Sequence, residues 1–228
     1  MAFRRDPFEH SSARRSAAVV VAHPDDETLW SGGTILDHPN WGWFIVSLCR
    51  KSDPDRSARF RKALAALGAA GELADLDDGP DQTPLDPGLV ASTCIDLLGP
   101  ASFDLVLTHG PQGEYTRHRR HEEVSRAVAG LWLTNRLQTG GLLMFAFEDG
   151  DRACCPRPRA DAHFCRRLET PIWERKRSII TGVYGFAADS WEARTTPRRE
   201  AFWSFDSKEA LSRWLTARGI KHEDSRYL

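Results

Sequence analysis

Short apolar runs recur along the chain, and the segments between them carry apolar residues at helical spacing. The runs at residues 17–22, 43–49, 103–109 and 142–147 predict buried strands. A chain in which strands and helices alternate in this way folds into a mostly parallel sheet that helices cover on both faces. We therefore expect a single α/β domain, built as a three-layer Rossmann-like sandwich.

The remaining elements follow from the same periodicity. Further strands are predicted at 72–76 and 201–205, and helices at 28–36, 56–67, 89–98, 172–181 and 211–217, with another beginning near residue 118. Gly32 and Gly33 weaken the first helix, so we expect them to mark a close approach to the sheet or to a substrate. No internal repeat or low-complexity linker divides the chain. Residues 17–228 are expected to form one domain after a flexible lead-in at 1–16.

The first apolar strand ends in a cluster of ionisable side chains, His23-Pro24-Asp25-Asp26-Glu27. Such a cluster after a buried strand is typical of a site at the carboxyl edge of an α/β sheet. His23 and Asp26 are three residues apart and can face the same way, as two of three ligands for a divalent ion such as zinc. Asp25 can then take a proton from water bound there. The alternative is an acidic helix start without chemistry, because carboxylates favour helix N-termini.

A second cluster follows the strand at 103–109. His118 and His121 lie three residues apart at the entry to a helix, so they share one face of it. A single His-x-x-His pair is weak support for a site, because most such pairs lie on the surface. Two clusters that each follow a strand predict one shared site at the sheet edge.

The two clusters together resemble a known family. The stretch AHPDDE with Gly32-Gly33, the stretch THGPQGEY and the histidines of HRRH are similar to motifs of the LmbE/PIG-L family of metal-dependent N-deacetylases, over residues 17–129. The resemblance implies that His23, Asp26 and His121 bind the metal. It implies that Asp25 is the general base and that His118 helps to stabilise the tetrahedral oxyanion. The implied metal is Zn²⁺, with Fe²⁺ as an alternative that the same ligand types accept.

The implied reaction is hydrolysis of a linear amide, in which acetate is removed from an N-acetylated amino-sugar conjugate of the N-acetylglucosamine type. One alternative is that the same centre hydrolyses a different amide, such as a thiol conjugate or an acylated natural product. A second alternative is a non-catalytic binding protein that keeps the fold. The presence of every motif residue argues against the second alternative.

The chain departs from the family pattern at several positions. Thr116-Arg117 precedes His118 and Arg119-Arg120 separates the histidines, so we expect a more basic pocket rim. Arg59 stands where family members often carry Glu, and no role is assigned to it. The candidate substrate contacts are Arg56, Asp78 and Trp30. Turn chemistry explains Asp78 equally well, and core packing explains Trp30 at least as well as stacking on a sugar.

The global composition sets limits on partners. The 228 residues include 31 basic and 32 acidic side chains, for a formal net charge of −1, so no strong field recruits nucleic acid or an acidic membrane. No apolar run approaches the length of a membrane span, and the N-terminal segment lacks a signal-peptide core. We expect a cytoplasmic enzyme with a small-molecule substrate. The sequence does not set its oligomeric state, and a homo-oligomer stays open.

Five cysteines and a group of arginines complete the candidate chemistry. An odd number of cysteines without an export signal indicates reduced thiols. A structural metal site is conceivable at Cys154, Cys155, His163 and Cys165, but the adjacent cysteines lack the usual spacer, so ordinary thiols are expected. Solvated surface is the favoured interpretation of Arg194, Arg198 and Arg199, ahead of substrate binding.

Overall fold

Strands and helices alternate through most of the chain, in the order that the apolar pattern predicts. The computed structural model describes Phe8 and residues 14–220. The strands are β1 (Ser16–Val21), β2 (Gly42–Cys49), β3 (Ala70–Leu76), β4 (Ser102–Phe103), β5 (Leu105–Thr108), β6 (Gln138–Thr139), β7 (Leu142–Phe145), β8 (Phe147–Glu148), β9 (Arg157–Pro158), β10 (Phe164–Arg167) and β11 (Arg199–Phe205). The helices are α1 (Asp26–Asp37), α2 (Pro54–Leu67), α3 (Pro87–Leu98), α4 (Arg119–Leu133), α5 (Thr170–Ser178), α6 (Trp191–Thr195) and α7 (Lys208–Ala217). A π-helical turn, Ile179–Val183, follows α5 directly.

Seven strands form the central sheet in the order β10-β11-β7-β5-β1-β2-β3. The five strands from β7 to β3 run parallel to their neighbours. Strand β11 pairs with β7 in antiparallel register, and β10 pairs with β11 in the same way. The prediction of a mostly parallel α/β sheet is confirmed, with an antiparallel pair at one edge.

Strand β1 lies inside this sheet, between β5 and β2, and is buried on both faces. Residues 17–21 have no exposed surface, which suits their small and β-branched side chains. Right-handed crossovers place α1 and α2 on one face of the sheet and α3 and α4 on the other. In agreement with this arrangement, α1 packs against α2 and α5, whereas α3 packs against α4.

The direction of the strand order reverses at β1. Strands β2 and β3 extend the sheet on one side of it, and β5 and β7 extend it on the other. At such a reversal a crevice opens beyond the carboxyl ends of the two central strands, because their crossovers leave on opposite faces. His23 follows β1 and His109 follows β5. The two ionisable clusters of the sequence therefore meet at this crevice.

Several predicted boundaries differ from the structure by a few residues. Helix α1 begins at Asp26 and not at residue 28, so both motif carboxylates lie at its start. The apolar run at 103–109 is divided between β4 and β5, and the run at 142–147 ends its sheet pairing at Phe145. The predicted helix at 172–181 begins at Thr170 and changes to π-helical geometry at Ile179. These are boundary shifts, and the elements themselves are present.

The sequence pattern missed four elements: the two-residue strands β6 and β9, strand β10 and helix α6. Strand β10 is an edge strand that alternates half-buried and exposed residues, including two arginines, so its apolar signal is weak. Helix α6 has only five residues, which is too short for a helical period to be visible. Helix α6 matters because it contributes to the site described below.

The predicted N-terminal lead-in, residues 1–16, is only partly described. Residues 1–7 and 9–13 lie outside the described residues, and Ser16 already belongs to β1. Phe8 is buried, and its ring packs against those of Trp41 and Phe202, with centroids 6.1 and 5.6 Å away. One position of the lead-in therefore contributes to the core.

The close approach expected at the glycines of α1 is confirmed at Gly33. A Cβ atom there would lie 2.3 Å from Leu168 Cδ1 and 2.9 Å from Glu200 Oε1. The Glu200 carboxylate accepts hydrogen bonds from the amides of Gly33 and Thr34, each at 2.7 Å, and also pairs with Lys176 Nζ at 2.7 Å. This buried group fixes the middle of α1 against β11, so α1 has little freedom to move.

Gly33→Ala is expected to lower the free energy of unfolding by about 1–3 kcal/mol, the usual cost of overpacking. The clash is not easily relieved because Leu168 is only 1% exposed. Gly182→Ala is the matched control, since a Cβ there meets nothing within 4 Å. Chemical denaturation of both variants is the measurement. Equal stability of Gly33→Ala and the wild type would show that α1 can shift away from β11.

Candidate active site

The site is assembled from the segments that follow three strands. The residues after β1 supply His23, Asp25 and Asp26, and the turn after β3 supplies Asp78. The loop between β5 and α4 ends at His118, the residue that immediately precedes α4. Each of these segments begins at the carboxyl edge of the parallel sheet, which is why residues far apart in sequence come together here.

Asp25 adopts an unusual backbone conformation at the start of α1. Its φ of 116° and ψ of −29° lie in the left-handed region, which costs a non-glycine residue free energy. The Asp25 amide donates a hydrogen bond to Glu27 Oε2 at 3.0 Å, which helps to hold this conformation. Glu27 is completely buried, and its other oxygen, Oε1, accepts a hydrogen bond from the Tyr184 hydroxyl at 2.8 Å. Tyr184, the residue directly after the π-helical turn, thus supports the backbone at Asp25.

Three potential ligand atoms form a small triangle at the crevice. Asp26 Oδ2 lies 3.1 Å from His23 Nδ1 and 3.3 Å from His121 Nε2. The same two imidazole nitrogens, His23 Nδ1 and His121 Nε2, are 3.3 Å apart. Ligand atoms at tetrahedral positions about 2.0 Å from a zinc ion lie about 3.3 Å from one another. The donor set and its spacing therefore fit a zinc-sized divalent cation.

Each of the two imidazoles is oriented by a carboxylate on its other nitrogen. His23 Nε2 lies 3.0 Å from Asp78 Oδ1, and His121 Nδ1 lies 2.6 Å from Glu114 Oε2. Carboxylates in this position fix the tautomer and increase the basicity of a metal-binding histidine. Asp78 itself is held by Arg50 Nε at 2.9 Å. Asp78 therefore positions the His23 ring, so its role goes beyond that of a turn residue.

A third buried histidine, His109, belongs to the same network. Its Nε2 accepts a hydrogen bond from the Ala22 amide at 3.0 Å, so the ring proton lies on Nδ1, which is 2.9 Å from Glu114 Oε2. Glu114 is completely buried and bridges the rings of His109 and His121. Burial opposes its ionisation, but the two histidines prevail and lower the pKa of Glu114 to about 2.

The pKa values of the two adjacent carboxyl groups, Asp25 and Asp26, shift in opposite directions. Burial, and then the charge of Asp26, raise the pKa of Asp25 well above its usual value, and Arg56 offsets only part of that shift. Burial also opposes ionisation of Asp26, but His121 and His109 outweigh it and hold the pKa of Asp26 well below its usual value. Two neighbouring carboxyl groups with separated pKa values are typical of a division into ligand and acid–base roles.

His118 lies over the triangle without being part of it. Its ring centroid is 4.6 Å from that of His23 and 4.5 Å from that of His121. Its Nδ1 atom is buried and has no hydrogen-bond partner among the described residues. Burial, together with the two neighbouring imidazoles, lowers the pKa of His118 to about 3, so this ring is neutral at pH 7.

A cavity of about 420 Å³ opens onto these groups. Its lining is rich in charged side chains and consists of His23, Pro24, Asp25, Asp26, Leu29, Arg50, Asp53, Arg56, Asp78, Tyr115, His118, Trp191 and Glu192. Arg56 Nη1 lies 3.3 Å from Asp25 Oδ2, and its guanidinium stacks on the ring of Phe186 at 4.9 Å. The structure therefore places the two sequence candidates Arg56 and Asp78 at the cavity.

Two expectations about the cavity are wrong. Trp30 has no exposed surface, so it cannot stack on a sugar; its indole packs on Phe147, and its Nε1 donates to Asp26 Oδ1 at 3.2 Å. The basic rim expected from the inserted arginines does not form either. Arg120 is buried and donates to the Asp77 and Thr83 carbonyls, and Arg117 pairs with Glu122 away from the cavity.

Sequence reasoning missed several residues that shape the site. His109 and Glu114 belong to the THGPQGEY stretch, so their proximity to a predicted strand end was the available signal. Arg50 follows β2 at the same sheet edge, as the topology requires. Trp191 and Glu192 come from α6, which no sequence pattern revealed. Their position depends on how the segment after the π-helical turn packs against the sheet edge.

The cysteine cluster does not form a second metal site among the described residues. Cys154, Cys155 and Cys165 are exposed free thiols. Besides the triangle, potential ligands within the described part of the chain also group at His23 with His118 and His121, and at Asp26 with His109 and His121, so both further groups share His121 with the triangle. Helices that are both long and apolar enough to cross a membrane are absent from the same residues.

Comparison with known proteins identifies the family of this chain. The model of the PIG-L family, described as GlcNAc-PI de-N-acetylase, matches residues 18–132. This chain belongs to the PIG-L family. The match covers half of the chain and includes His23, Asp25, Asp26, His118 and His121. The part of the chain after residue 132, which includes Tyr184 and α6, lies outside it.

One curated relative matches part of the chain at low sequence identity. An uncharacterised protein of Acanthamoeba polyphaga mimivirus is 22% identical over 124 residues, which are 48% of this chain and 55% of that protein. The chain thus matches about half the length of this relative.

Solved structures with low sequence identity share the fold. N,N'-diacetylchitobiose deacetylase from Pyrococcus horikoshii is 14% identical, with a TM-score of 0.67 over 89% of this chain and 86% of that one. A deacetylase in complex with teicoplanin is 13% identical, with a TM-score of 0.59 over 84% of this chain and 99% of that one. The 4-carboxy-2-hydroxymuconate hydratase GalB from Pseudomonas putida is 18% identical, with a TM-score of 0.55 over 90% and 88%. The same fold therefore occurs in deacetylases and in a hydratase, so the fold alone does not define the reaction.

Tyr184→Phe is expected to lower kcat on an N-acetylated substrate about 10-fold, because a loosened Glu27 allows Asp25 to leave its strained conformation. The KM and the metal content are expected to stay unchanged, since Tyr184 is absent from the cavity lining and from the potential ligand groups. Steady-state kinetics and elemental analysis of both proteins are the measurements. An unchanged kcat would mean that Glu27 keeps Asp25 in place without the Tyr184 hydroxyl.

Proposed function

We propose that this PIG-L family protein is a metal-dependent hydrolase that removes the acetyl group from an N-acetylated amino-sugar conjugate of the N-acetylglucosamine type. The observation that carries this proposal is the triangle of His23, Asp26 and His121 with Asp25 beside it. The triangle has ligand types and spacings that suit zinc, and Asp25 has a raised pKa at the same cavity.

His23, Asp26 and His121 would hold the metal ion. A divalent ion in this position supplies polarisation of the amide carbonyl and lowers the pKa of water towards ~7. Imidazole and carboxylate ligands accept both Zn²⁺ and Fe²⁺, and zinc is our assignment because the 3.1–3.3 Å spacings match a tetrahedral site.

Asp25 acts as the general base and then as the general acid. Its raised pKa makes the Asp25 carboxylate a stronger base for taking a proton from the attacking water. The same carboxyl group then passes that proton to the departing amine, which gives acetate and a free amine. The nearby Arg56 guanidinium opposes this rise in the pKa of Asp25.

His118 stabilises the tetrahedral oxyanion by donating a ring N–H. Because the ring is neutral at pH 7, this donation uses the imidazole N–H and no imidazolium charge. A donor of this kind typically contributes about 3 kcal/mol to the transition state. The close packing of His118 on His23 and His121 fixes the direction of its ring without a hydrogen bond to Nδ1.

Several observations support an amino-sugar substrate. The cavity is polar, and Arg50, Asp53, Arg56 and Glu192 offer donors and acceptors for hydroxyl groups. The names of the family model and of the chitobiose deacetylase both refer to N-acetylated sugars. The teicoplanin deacetylase also supports the alternative, a different amide such as an acylated natural product.

A substrate panel tests the reaction. The purified protein, loaded with Zn²⁺, is incubated with N-acetylglucosamine conjugates that differ in their aglycone, with N-acetylated thiol conjugates and with acylated natural products. Acetate release is measured enzymatically. Release from the sugar conjugates alone supports the proposal, and release from another amide alone replaces its substrate class. No release from any amide would leave a non-catalytic role as the better account.

Asp25→Asn is expected to keep the metal and lose at least about 100-fold in kcat, because the amide side chain cannot accept the proton. Asp96→Asn, an exposed position on α3, is the matched control and is expected to behave as the wild type. Elemental analysis and acetate release are measured on the same preparations. Turnover of Asp25→Asn at the wild-type rate would remove Asp25 from the mechanism.

His121→Ala is expected to abolish stoichiometric metal binding, whereas His118→Ala is expected to keep it and lose turnover. Comparing the two variants is decisive because the ring nitrogens of His23, His118 and His121 also lie close enough to one another to bind a metal ion, with His118 in place of Asp26. Metal content of both variants is measured after dialysis against a weak chelator. Loss of the metal from His118→Ala but not from His121→Ala would reverse the two assignments.

A further inference from the structure

A second cavity, of about 310 Å³, lies beside the antiparallel edge of the sheet. Its lining consists of four arginines and three prolines: Pro156, Arg157, Pro158, Arg167, Pro197, Arg198 and Arg199. Among the residues that the structure describes, its lining contains no carboxylate and shares no residue with the catalytic cavity. We propose that this arginine pocket, defined by these seven residues, binds the phosphate group of a small anionic ligand.

The strand register places two of these arginines directly opposite each other. In the antiparallel pair of β10 and β11, Arg167 pairs with Arg199. Like charges at directly opposed positions repel and destabilise a sheet. Both side chains are exposed, and neither forms an ion pair with a carboxylate within the described part of the chain. An anion between the two guanidinium groups would turn this repulsion into attraction.

The contacts of Arg199, Arg198 and Arg157 leave some of their N–H donors available. Arg199 hydrogen-bonds to the Cys165 thiol, which is a weak acceptor. Arg198 lies over the ring of Trp173 at 5.4 Å, which fixes the plane of its guanidinium. The Nε atom of Arg198 is buried and has no hydrogen-bond partner among the described residues. Arg157 is 65% exposed and only loosely paired with Glu148, at 3.4 Å.

The walls of the pocket are rigid. Pro156, Pro158 and Pro197 fix the backbone on both sides of the arginines, because each proline ring locks φ. Pro158 also belongs to β9, which pairs with β8. The arginines are therefore attached to a backbone that does not have to be ordered when a ligand binds, which lowers the entropic cost of binding.

The chemistry of the donors selects phosphate. A guanidinium presents paired N–H donors that match two phosphate oxygens, and it stays charged at every physiological pH. The basic residues that line the pocket in the described part of the chain are all arginines. Its volume suits a phosphate with a small substituent and is far too small for a nucleic-acid duplex. Inorganic phosphate and the phosphate of a small ester present the same group, so both are tested.

The arginine pocket lies beyond the carboxyl ends of the parallel strands, as the catalytic cavity does. Phe202 of β11 pairs with Phe145, the last residue of β7, so Arg199 extends beyond the carboxyl end of the parallel strands. Three strand positions, those of β11, β7 and β5, separate β10 from β1. The phosphate site is thus distinct from the metal triangle, and its existence does not depend on the proposed deacetylase reaction.

Calorimetric titration of the full chain tests the proposal. The probes are inorganic phosphate, pyrophosphate and glucose 6-phosphate, at constant ionic strength with chloride as the background anion. We expect saturable binding of at least one phosphate probe by the wild type. Arg167→Gln/Arg199→Gln is expected to weaken that binding at least 10-fold. The control Arg61→Gln/Arg213→Gln, which removes two exposed arginines from α2 and α7, is expected to bind phosphate as the wild type does.

Thermal unfolding gives a second readout with a distinctive sign. Without phosphate, Arg167→Gln/Arg199→Gln is expected to have a Tm equal to or above that of the wild type, because the opposed charges are gone. With saturating phosphate, the wild type is expected to gain more Tm than the variant. Acetate release by the variant is expected to be unchanged, which separates this site from the catalytic one.

The outcomes are exclusive. Binding that is lost in the arginine-pocket variant and kept in the control variant supports the proposal. Preference for glucose 6-phosphate over inorganic phosphate identifies an ester as the ligand, and equal binding identifies the free ion. No saturable binding by the wild type, or equal loss of binding in both variants, overturns the proposal.

Discussion

The carboxylate of Asp26 joins the two halves of the site. Its Oδ2 atom lies within 3.5 Å of nitrogens from His23, His109 and His121, which come from both sides of the point where the strand order reverses. The group is almost completely buried, so its negative charge depends on these imidazoles, on the His23 amide and the Trp30 indole that donate to it, and on any cation among them. The position of Asp26 is therefore tied to the positions of all three imidazoles.

This position depends on how firmly α1 is held. The buried pair of Lys176 and Glu200 binds the middle of the helix to β11, and the glycine at residue 33 allows the close approach. At the start of the helix, Glu27 holds Asp25 in a left-handed conformation and is itself held by Tyr184. The two carboxyl groups of Asp25 and Asp26 are thus placed by contacts with the second half of the chain, outside the region that the family model matches.

Electrostatics then gives the adjacent carboxylates different chemistry. Asp26 faces imidazoles and has a lowered pKa, whereas Asp25 faces the cavity beside that charge and has a raised pKa. The same principle distinguishes the arginines of the molecule. Arg120 is buried and bonded to Asp77, Thr83 and Glu123, so it is structural, whereas Arg167 is opposed by a like charge and pairs with no carboxylate of residues 14–220. Environment, and not residue type, decides which groups are available for chemistry.

The sequence by itself determined the alternation of strands and helices and the residues that follow each strand. That was enough to bring His23, Asp26 and His121 to one sheet edge, because parallel strands with right-handed crossovers deliver their carboxyl ends together. Only the tertiary structure decided that Trp30 is buried, that Tyr184 and α6 reach the site, and that Arg167 and Arg199 oppose each other. These facts depend on which strands become neighbours and on long-range packing, whereas local periodicity specifies only which face of a strand is buried.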